Sequence, residues 1–363
     1  VEQARQKLGR ALPYAELAVE QLNLWMEQLV RGFEPAEAAL GERLLALLAE
    51  ARSCLEAEAV GRDPGAGRTG YFERAYASSI DGSPQPYFVL VPSAAAKPEP
   101  GRKFPLVVFL HGYVPDYDKH LWWRPFDEFN ALFEKHGALL AIPFGRSNTD
   151  FLGPGEWDVL EVIEEMKRSY PVDESRIYLY GYSMGGMAVY SLAGHYPELF
   201  RAGVALAGRA FSPLLMGTGG IDSLHPFKQF LVRADQPLDM CENLGNFPLR
   251  IFHGAQDQFV PASEAELMQK RITELGGQAS VRVVQGDHYG LFDVMVDDEP
   301  VKWLLAQPPL APWEGKSRNR QFSLSYARFP ADFLVDLRLL GALAPFELAH
   351  ERSVVDGGRC VSL

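Results

Sequence analysis

Ile177-Tyr178-Leu179-Tyr180-Gly181-Tyr182-Ser183-Met184-Gly185-Gly186-Met187 passes from an apolar, β-rich run through Gly-x-Ser-x-Gly into a string of small and apolar residues. A serine held on a sharp strand-to-helix turn needs small residues two before and two after it, so that the backbone can bend tightly and the hydroxyl stands clear. Ser183 has them. By itself the pattern is weak, since average glycine usage yields one by chance in about a tenth of chains this long. The context strengthens it: Ala188, Val189, Leu192 and Ala193 continue a helix-like segment that stops at Gly194-His195-Tyr196-Pro197.

Outward from this run, strands and helices alternate. Strands are expected near 105–110, 138–143, 176–181, 202–207, 248–253 and 280–285, and helices near 124–136, 156–169, 184–196, 262–275 and 293–305. Such alternation implies an α/β domain with a mostly parallel, twisted sheet and helices on both faces. An open sheet of this kind places its ligand crevice at the carboxyl ends of the strands. Two polar clusters fall there: His253-Gly254-Ala255-Gln256-Asp257 after one strand and Gly286-Asp287-His288-Tyr289-Gly290 after the next.

The chain order Ser183, Asp257, His288 assigns roles. A serine hydroxyl is a weak nucleophile unless a base takes its proton; His288 is that base, and Asp257 holds its tautomer and stabilises the imidazolium. Asp287 competes as the acid because it adjoins His288, and Asp257 has the competing role of a turn residue before the helix at Ala262. Asp257 is preferred, since neighbouring loop residues tend to point apart and the acid of this arrangement follows the preceding strand. The flanking glycines suit His288 to an exposed loop. His111-Gly112-Tyr113 follows the strand at 105–110, where the fold supplies a second oxyanion-hole amide, so the N–H groups of Met184 and Tyr113 are the expected donors. His111 is read as organising that loop. The other histidines, His120, His136, His195, His225, His253 and His350, are read as structural or surface residues.

These blocks resemble the α/β-hydrolase serine esterases, in particular the bacterial carboxylesterase and predicted-peptidase group related to dienelactone hydrolases, feruloyl esterases and polyhydroxybutyrate depolymerases. The resemblance rests on Leu110-His111-Gly112, Gly181-Tyr182-Ser183-Met184-Gly185-Gly186, His253-Gly254-Ala255-Gln256-Asp257 and Gly286-Asp287-His288, with the loop 143–151 and the helix start at 155–160 in support. It covers about 71 to 307. It implies the α/β-hydrolase fold, a catalytic triad with an oxyanion hole, and hydrolysis of carboxylic esters through an acyl-enzyme with no cofactor and no metal. A serine peptidase of the prolyl-oligopeptidase type is the alternative within the fold, although only about 100 residues precede the first core strand, too few for a propeller of four-stranded blades. A non-catalytic hydrolase-fold binding protein is the alternative from another class.

Composition narrows the partners. The chain has 363 residues, 47% hydrophobic and 23% charged, enough for one substantial core and an accessory region. Its formal charge of −12 argues against nucleic acid or an anionic membrane surface and suits a neutral or apolar small-molecule ester. No uninterrupted apolar run of about 20 residues is present, so no membrane span is expected. The first residue is Val1, which fits a removed leader, and secreted and cytoplasmic locations both stay open. Cys54, Cys241 and Cys360 lie far apart and read as incidental thiols.

Residues 1–63 read as a helical N-terminal extension, with stripes at Leu22, Trp25, Met26, Leu29 and at Leu44, Leu47, Leu48, Ala51, Leu55. A helical layer on the main domain is the plainer reading of these stripes, and homo-oligomerisation through them the functional one. Gly61 to Gly70 reads as a linker, and Tyr71–Ile80 with Gln85–Val91 as a hairpin opening the catalytic domain, 71–307. Residues 209–246, with Leu214, Leu215, Met216, Phe227, Phe230 and Leu231, exceed an ordinary connection and are expected to form either a cap or a structural excursion. The tail, 308–363, starts with a stiff Pro-rich segment and reads as short strands at 321–326, 333–339 and 353–363. Tyr113, Trp122, Trp123, Trp157, Tyr182 and Tyr289 are aromatic residues expected near the catalytic end. Of these Trp157, Tyr182 and Tyr289, together with His111 and Gly112, are the candidate substrate pocket, favouring an acyl or alcohol group of apolar or ring character.

Overall fold

The computed structural model describes residues 12–30, 37–60, 62–115, 127–211, 220–309, 321–323, 352–356 and 359–362. Eight strands, β1 (Gly70–Ala77), β2 (Pro84–Val91), β3 (Phe104–Leu110), β4 (Leu139–Pro143), β5 (Val172–Tyr182), β6 (Gly203–Leu206), β7 (Leu249–Gly254) and β8 (Ala279–Val284), follow the sheet order β1-β2-β4-β3-β5-β6-β7-β8. The chain groups into two compact units, Val1–Phe104 with Val114–Val172 and Pro105–Tyr113 with Asp173–Leu363.

In the first unit β1 pairs antiparallel with β2 and β2 with β4. Helix α1 (Leu12–Val30) packs on β1 and β2, burying Leu17 and Ala18, and α2 (Glu37–Ala59) packs against α1. These helices are therefore built into the same unit as the hairpin. Short helix α3 (Ser93–Ala96) follows β2. The segment before β1 is more than a linker. Asp63 accepts from the guanidinium of the buried Arg74 at 3.0 Å, and the same guanidinium reaches the Tyr170 hydroxyl at 2.7 Å. A buried cation needs such partners, because losing one leaves an uncompensated charge in low dielectric. Helices α4 (Asp127–His136) and α5 (Pro154–Ser169) complete this unit, α4 burying Phe129 and Phe133 edge to face. Tryptophans 122 and 123 lie outside the described residues.

The second unit is the parallel half. β5 pairs parallel with β6, β6 with β7 and β7 with β8, so that Tyr182 stands beside Leu206, Leu206 beside Phe252 and Gly254 beside Val284. This register brings the ends of four strands to one level. The residues after them share one edge of the sheet. Every residue of β6 is buried, as expected of a parallel strand covered on both faces, and every residue of β3 is buried too. Helix α6 (Met184–His195) is likewise buried throughout. A one-turn 3-10 helix (Ile221–Ser223) leads into α7 (Pro226–Ala234), and a longer 3-10 segment (Pro237–Leu244) follows. The latter packs on α6, with Met240 against Gly194 and Asn243 donating to Gly194 O at 2.8 Å, so this part of 209–246 belongs to the helical layer. Residues 212–219, with Leu214, Leu215 and Met216, lie outside the described residues.

Helix α8 (Ala262–Glu274) precedes β8. The single helix expected at 293–305 is two, α9 (Leu291–Met295) and α10 (Asp298–Leu305). Asp297 divides them, its carboxylate accepting from the N–H of Glu299 as an N-cap. In the tail, β9 (Gln321–Ser323), β10 (Arg352–Asp356) and β11 (Arg359–Ser362) form an antiparallel sheet, the strand expected at 353–363 being two paired ones. The strand expected at 333–339 lies outside the described residues. Cys54 and Cys241 are buried free thiols.

Candidate active site

Ser183 follows β5 and is the N-cap of α6, with φ 55° and ψ −113°, a left-handed conformation that residues other than glycine rarely adopt. The elbow is crowded. A Cβ on Gly181 would come within 2.1 Å of Gly185 O, and one on Gly185 within 1.9 Å of Leu110 O, so both small residues of the motif are dictated by backbone packing. The Ser183 N–H donates to Leu206 O at 2.7 Å, tying the elbow to β6.

The three residues meet. Ser183 Oγ lies 2.8 Å from His288 Nε2, and His288 Nδ1 lies 2.6 Å from Asp257 Oδ2. The other carboxylate oxygen, Oδ1, accepts from the N–H groups of Phe259 and Val260, both at 2.9 Å. Asp257 is thus both the partner of the histidine and a turn residue, the two roles falling on different oxygens. Burial pushes its carboxyl up, but the N–H of Val260, the His288 ring and the N–H of Phe259 outweigh it and hold the acid below its ordinary range. Asp287 faces elsewhere, accepting from the N–H groups of Tyr289 and Gly290.

His288 is only 6% exposed, less open than its flanking glycines suggest. Rings cover it: Tyr182 at 5.2 Å, Phe259 at 5.2 Å and Tyr289 at 5.9 Å between centroids. Tyr182 is itself nearly buried, and its hydroxyl donates to His288 O at 3.1 Å, which makes it a support for the histidine loop. Burial pushes that phenol above its ordinary pKa. Phe259 and Tyr289 remain more than half exposed and form a rim beside the histidine, with Phe292 behind Tyr289. Phe259 had no signal in the sequence, because nothing in a lone loop phenylalanine shows which ring it will stack on.

The Met184 N–H opens α6, at the positive end of the helix. His111 is buried, with Nδ1 2.9 Å from Gly112 O, and Tyr113 is exposed. The 111–113 loop passes close to the elbow: a Cβ on Gly112 would lie 2.9 Å from Tyr182 Cδ1 and 3.4 Å from Ser183 Cβ. Trp157 falls in the first unit, on α5, with its indole N–H on Ser79 Oγ at 2.9 Å.

His253 is the functional-site neighbour that sequence reasoning passed over. It is fully buried at the end of β7, with Nε2 2.8 Å from Val260 O and 3.4 Å from Asp257 Oδ2. Its spacing of four before Asp257 was the available signal.

Fold and side-chain arrangement together place this chain in the class of α/β-hydrolase serine esterases. The sequence profile of the prolyl oligopeptidase family matches residues 156–294. Feruloyl esterase B of Thermothelomyces thermophilus is 31% identical over 207 residues, covering 50% of this chain and 69% of that one. By that similarity the chain belongs to the feruloyl esterase B family of serine hydrolases. Dipeptidyl-peptidase 5 of Porphyromonas gingivalis is 28% identical over 38% of this chain, which spans only 21% of that protein's length. Among solved structures, an S-formylglutathione hydrolase from Agrobacterium tumefaciens superposes with a TM-score of 0.52 at 17% identity, over 65% of this chain and 95% of that one, a likeness of fold.

Proposed function

We propose that this carboxylesterase acts on esters of aromatic acids or aryl alcohols through an acyl-enzyme on Ser183. The observation that carries the reading is the unbroken relay Ser183 Oγ, His288 Nε2, His288 Nδ1, Asp257 Oδ2, at 2.8 and 2.6 Å. His288 accepts the Ser183 proton as Oγ attacks the ester carbonyl carbon. The carbonyl π pair moves to oxygen, where the N–H groups of Met184 and Tyr113 receive the charge; each such donor contributes roughly 2.7–4 kcal/mol of barrier lowering. Collapse breaks the bond to the alcohol oxygen, which leaves with the proton His288 holds. Water then repeats the sequence, giving the acid and free Ser183.

The aromatic preference is supported by the exposed rim of Phe259 and Tyr289, whose ring centroids lie 6.0 Å apart beside His288. Two such faces offer edge and stacking contacts to a substrate ring. The name of the feruloyl esterase relative points the same way. Peptide hydrolysis is the second reading, favoured by the prolyl oligopeptidase profile.

The test is a panel of 4-nitrophenyl acetate to decanoate, methyl ferulate and a proline-containing peptide amide, with wild type, Ser183→Ala and Phe259→Ala in parallel. Ester turnover is expected to vanish in Ser183→Ala. In Phe259→Ala, KM for methyl ferulate is expected to rise about twofold to thirteenfold, as for an aromatic pair worth about 0.5–1.5 kcal/mol, with acetate turnover little changed. Amide turnover alone would move the chain to the peptidase reading; ester turnover that survives Ser183→Ala would remove the relay from the mechanism.

A further inference from the structure

We infer that His253 is a second histidine of the relay, a positioning residue that fixes the Asp257 turn. The inference rests on the Ser183, His288, Asp257 reading above. A carbonyl oxygen can only accept, so the 2.8 Å contact between His253 Nε2 and Val260 O puts the ring proton on Nε2. That same N–H lies 3.4 Å from Asp257 Oδ2, the oxygen that His288 uses. The far nitrogen, Nδ1, is buried without a hydrogen-bond partner among the described residues. The Nε2–H is therefore placed between a backbone acceptor and the carboxylate.

The contacts close a loop. Val260 gives its N–H to Asp257 Oδ1 at 2.9 Å and takes the His253 N–H on its own carbonyl. His253 sits in β7, held in register with β8 opposite Val283, whereas Asp257 sits on the turn beyond the strand. The histidine thus carries the rigidity of the sheet to the turn that aims the carboxylate. Neither His253 nor the Asp257 side chain is exposed, so water cannot substitute for the missing donor if the histidine is removed. No contact to the reacting atoms is implied, and His253 acts only through Asp257.

The experiment compares His253→Leu, His253→Gln and His253→Asn on 4-nitrophenyl acetate and methyl ferulate, with circular dichroism as the check of folding. Leucine has no donor. Glutamine can set an amide N–H near the Nε2 position, and asparagine, of the same chemistry, is too short to reach Val260 O. The expected result is a fall in kcat of about tenfold or more for Leu and Asn with KM within about twofold, and recovery of most of the loss by Gln. The far-downfield proton resonance of the His288 to Asp257 hydrogen bond is expected to weaken or move in Leu and Asn and to persist in Gln. Should Leu fail to fold, the Gln and Asn pair decides alone. Wild-type kcat and resonance in the Leu or Asn variant, or equal loss in Gln and Asn, would overturn the inference. Because Ser183→Ala is assayed beside them, failure of the relay itself is separable: it appears as activity without Ser183, whatever His253 does.

Discussion

Replacing Asp257 by asparagine removes one charge and leaves the shape, and the structure dictates how the new amide must sit. Oδ1 accepts from two backbone N–H groups at 2.9 Å. The amide oxygen has to take that place, because an NH2 group there would face two donors and forfeit both bonds, at about 1–3 kcal/mol for each unsatisfied group. The NH2 is then directed at His288 Nδ1, where the carboxylate oxygen stood at 2.6 Å. A donor now faces that nitrogen, so His288 must give up its Nδ1 proton and carry it on Nε2. In that tautomer the Nε2–H points at Ser183 Oγ and cannot receive the serine proton. The expected loss is on the order of 10⁴-fold in kcat, the scale of a wrong tautomer in such triads, or about 5 kcal/mol of barrier. KM should move little, since neither group contributes to ground-state binding. Steady-state hydrolysis of 4-nitrophenyl acetate and methyl ferulate measures it, with Asp287→Asn as the comparison. Among the described residues Asp287 accepts from the N–H groups of its own turn, so its replacement is expected to cost less than about tenfold. A loss under tenfold in Asp257→Asn, or an equal loss in Asp287→Asn, would refute the reasoning.

Two further outcomes are expected. Gly112→Ala puts a methyl group 2.9 Å from Tyr182 Cδ1 and 3.4 Å from Ser183 Cβ, and because the Tyr182 hydroxyl holds His288 O, the displacement should reach the relay. The expected fall in kcat is about 10²-fold with near-normal secondary structure; wild-type kcat in a soluble variant would contradict the placement of the 111–113 loop. In the first unit, Asp158 is fully buried on the Tyr76 hydroxyl and the Gly145 N–H; burial wins over both and over Arg146, raising its carboxyl from 3.8 to about 6. The folded state then binds more protons than the unfolded one between those values, so this group favours folding below the lower value and that contribution is lost as pH rises through about 6. Urea titrations of wild type and Asp158→Asn should show their difference moving against wild type by up to about 3 kcal/mol between about pH 4 and 7, at ~1.36 kcal/mol per unit. A pH-independent difference would count against the buried-acid account.

What the sequence could and could not show follows from how far each signal reaches along the chain. The elbow is local: Gly181, Ser183 and Gly185 are neighbours whose spacing is forced by one tight turn, and that spacing survives in the letters. The buried strands are legible for a similar reason, since burial on both faces demands unbroken apolar runs such as Phe104–Leu110. Asp257 and His288 were readable by position, each standing just past a strand end that the sheet register brings level with Ser183. The break between α9 and α10 was harder, because the Asp297 cap interrupts a hydrophobic period that otherwise continues. Residues that matter by stacking or by a second hydrogen bond were not readable at all. Phe259 looks like any loop phenylalanine until its ring meets His288, and His253 looks like a core histidine until its N–H is seen between Val260 O and Asp257 Oδ2. His253 and Asp257 are four residues apart, yet no helix brings them together. The turn after β7 does so, bringing the carboxylate within 3.4 Å of the His253 ring. The relay is therefore specified at two ranges, with its three principal groups fixed by strand ends and its alignment fixed by a turn whose geometry only the folded chain displays.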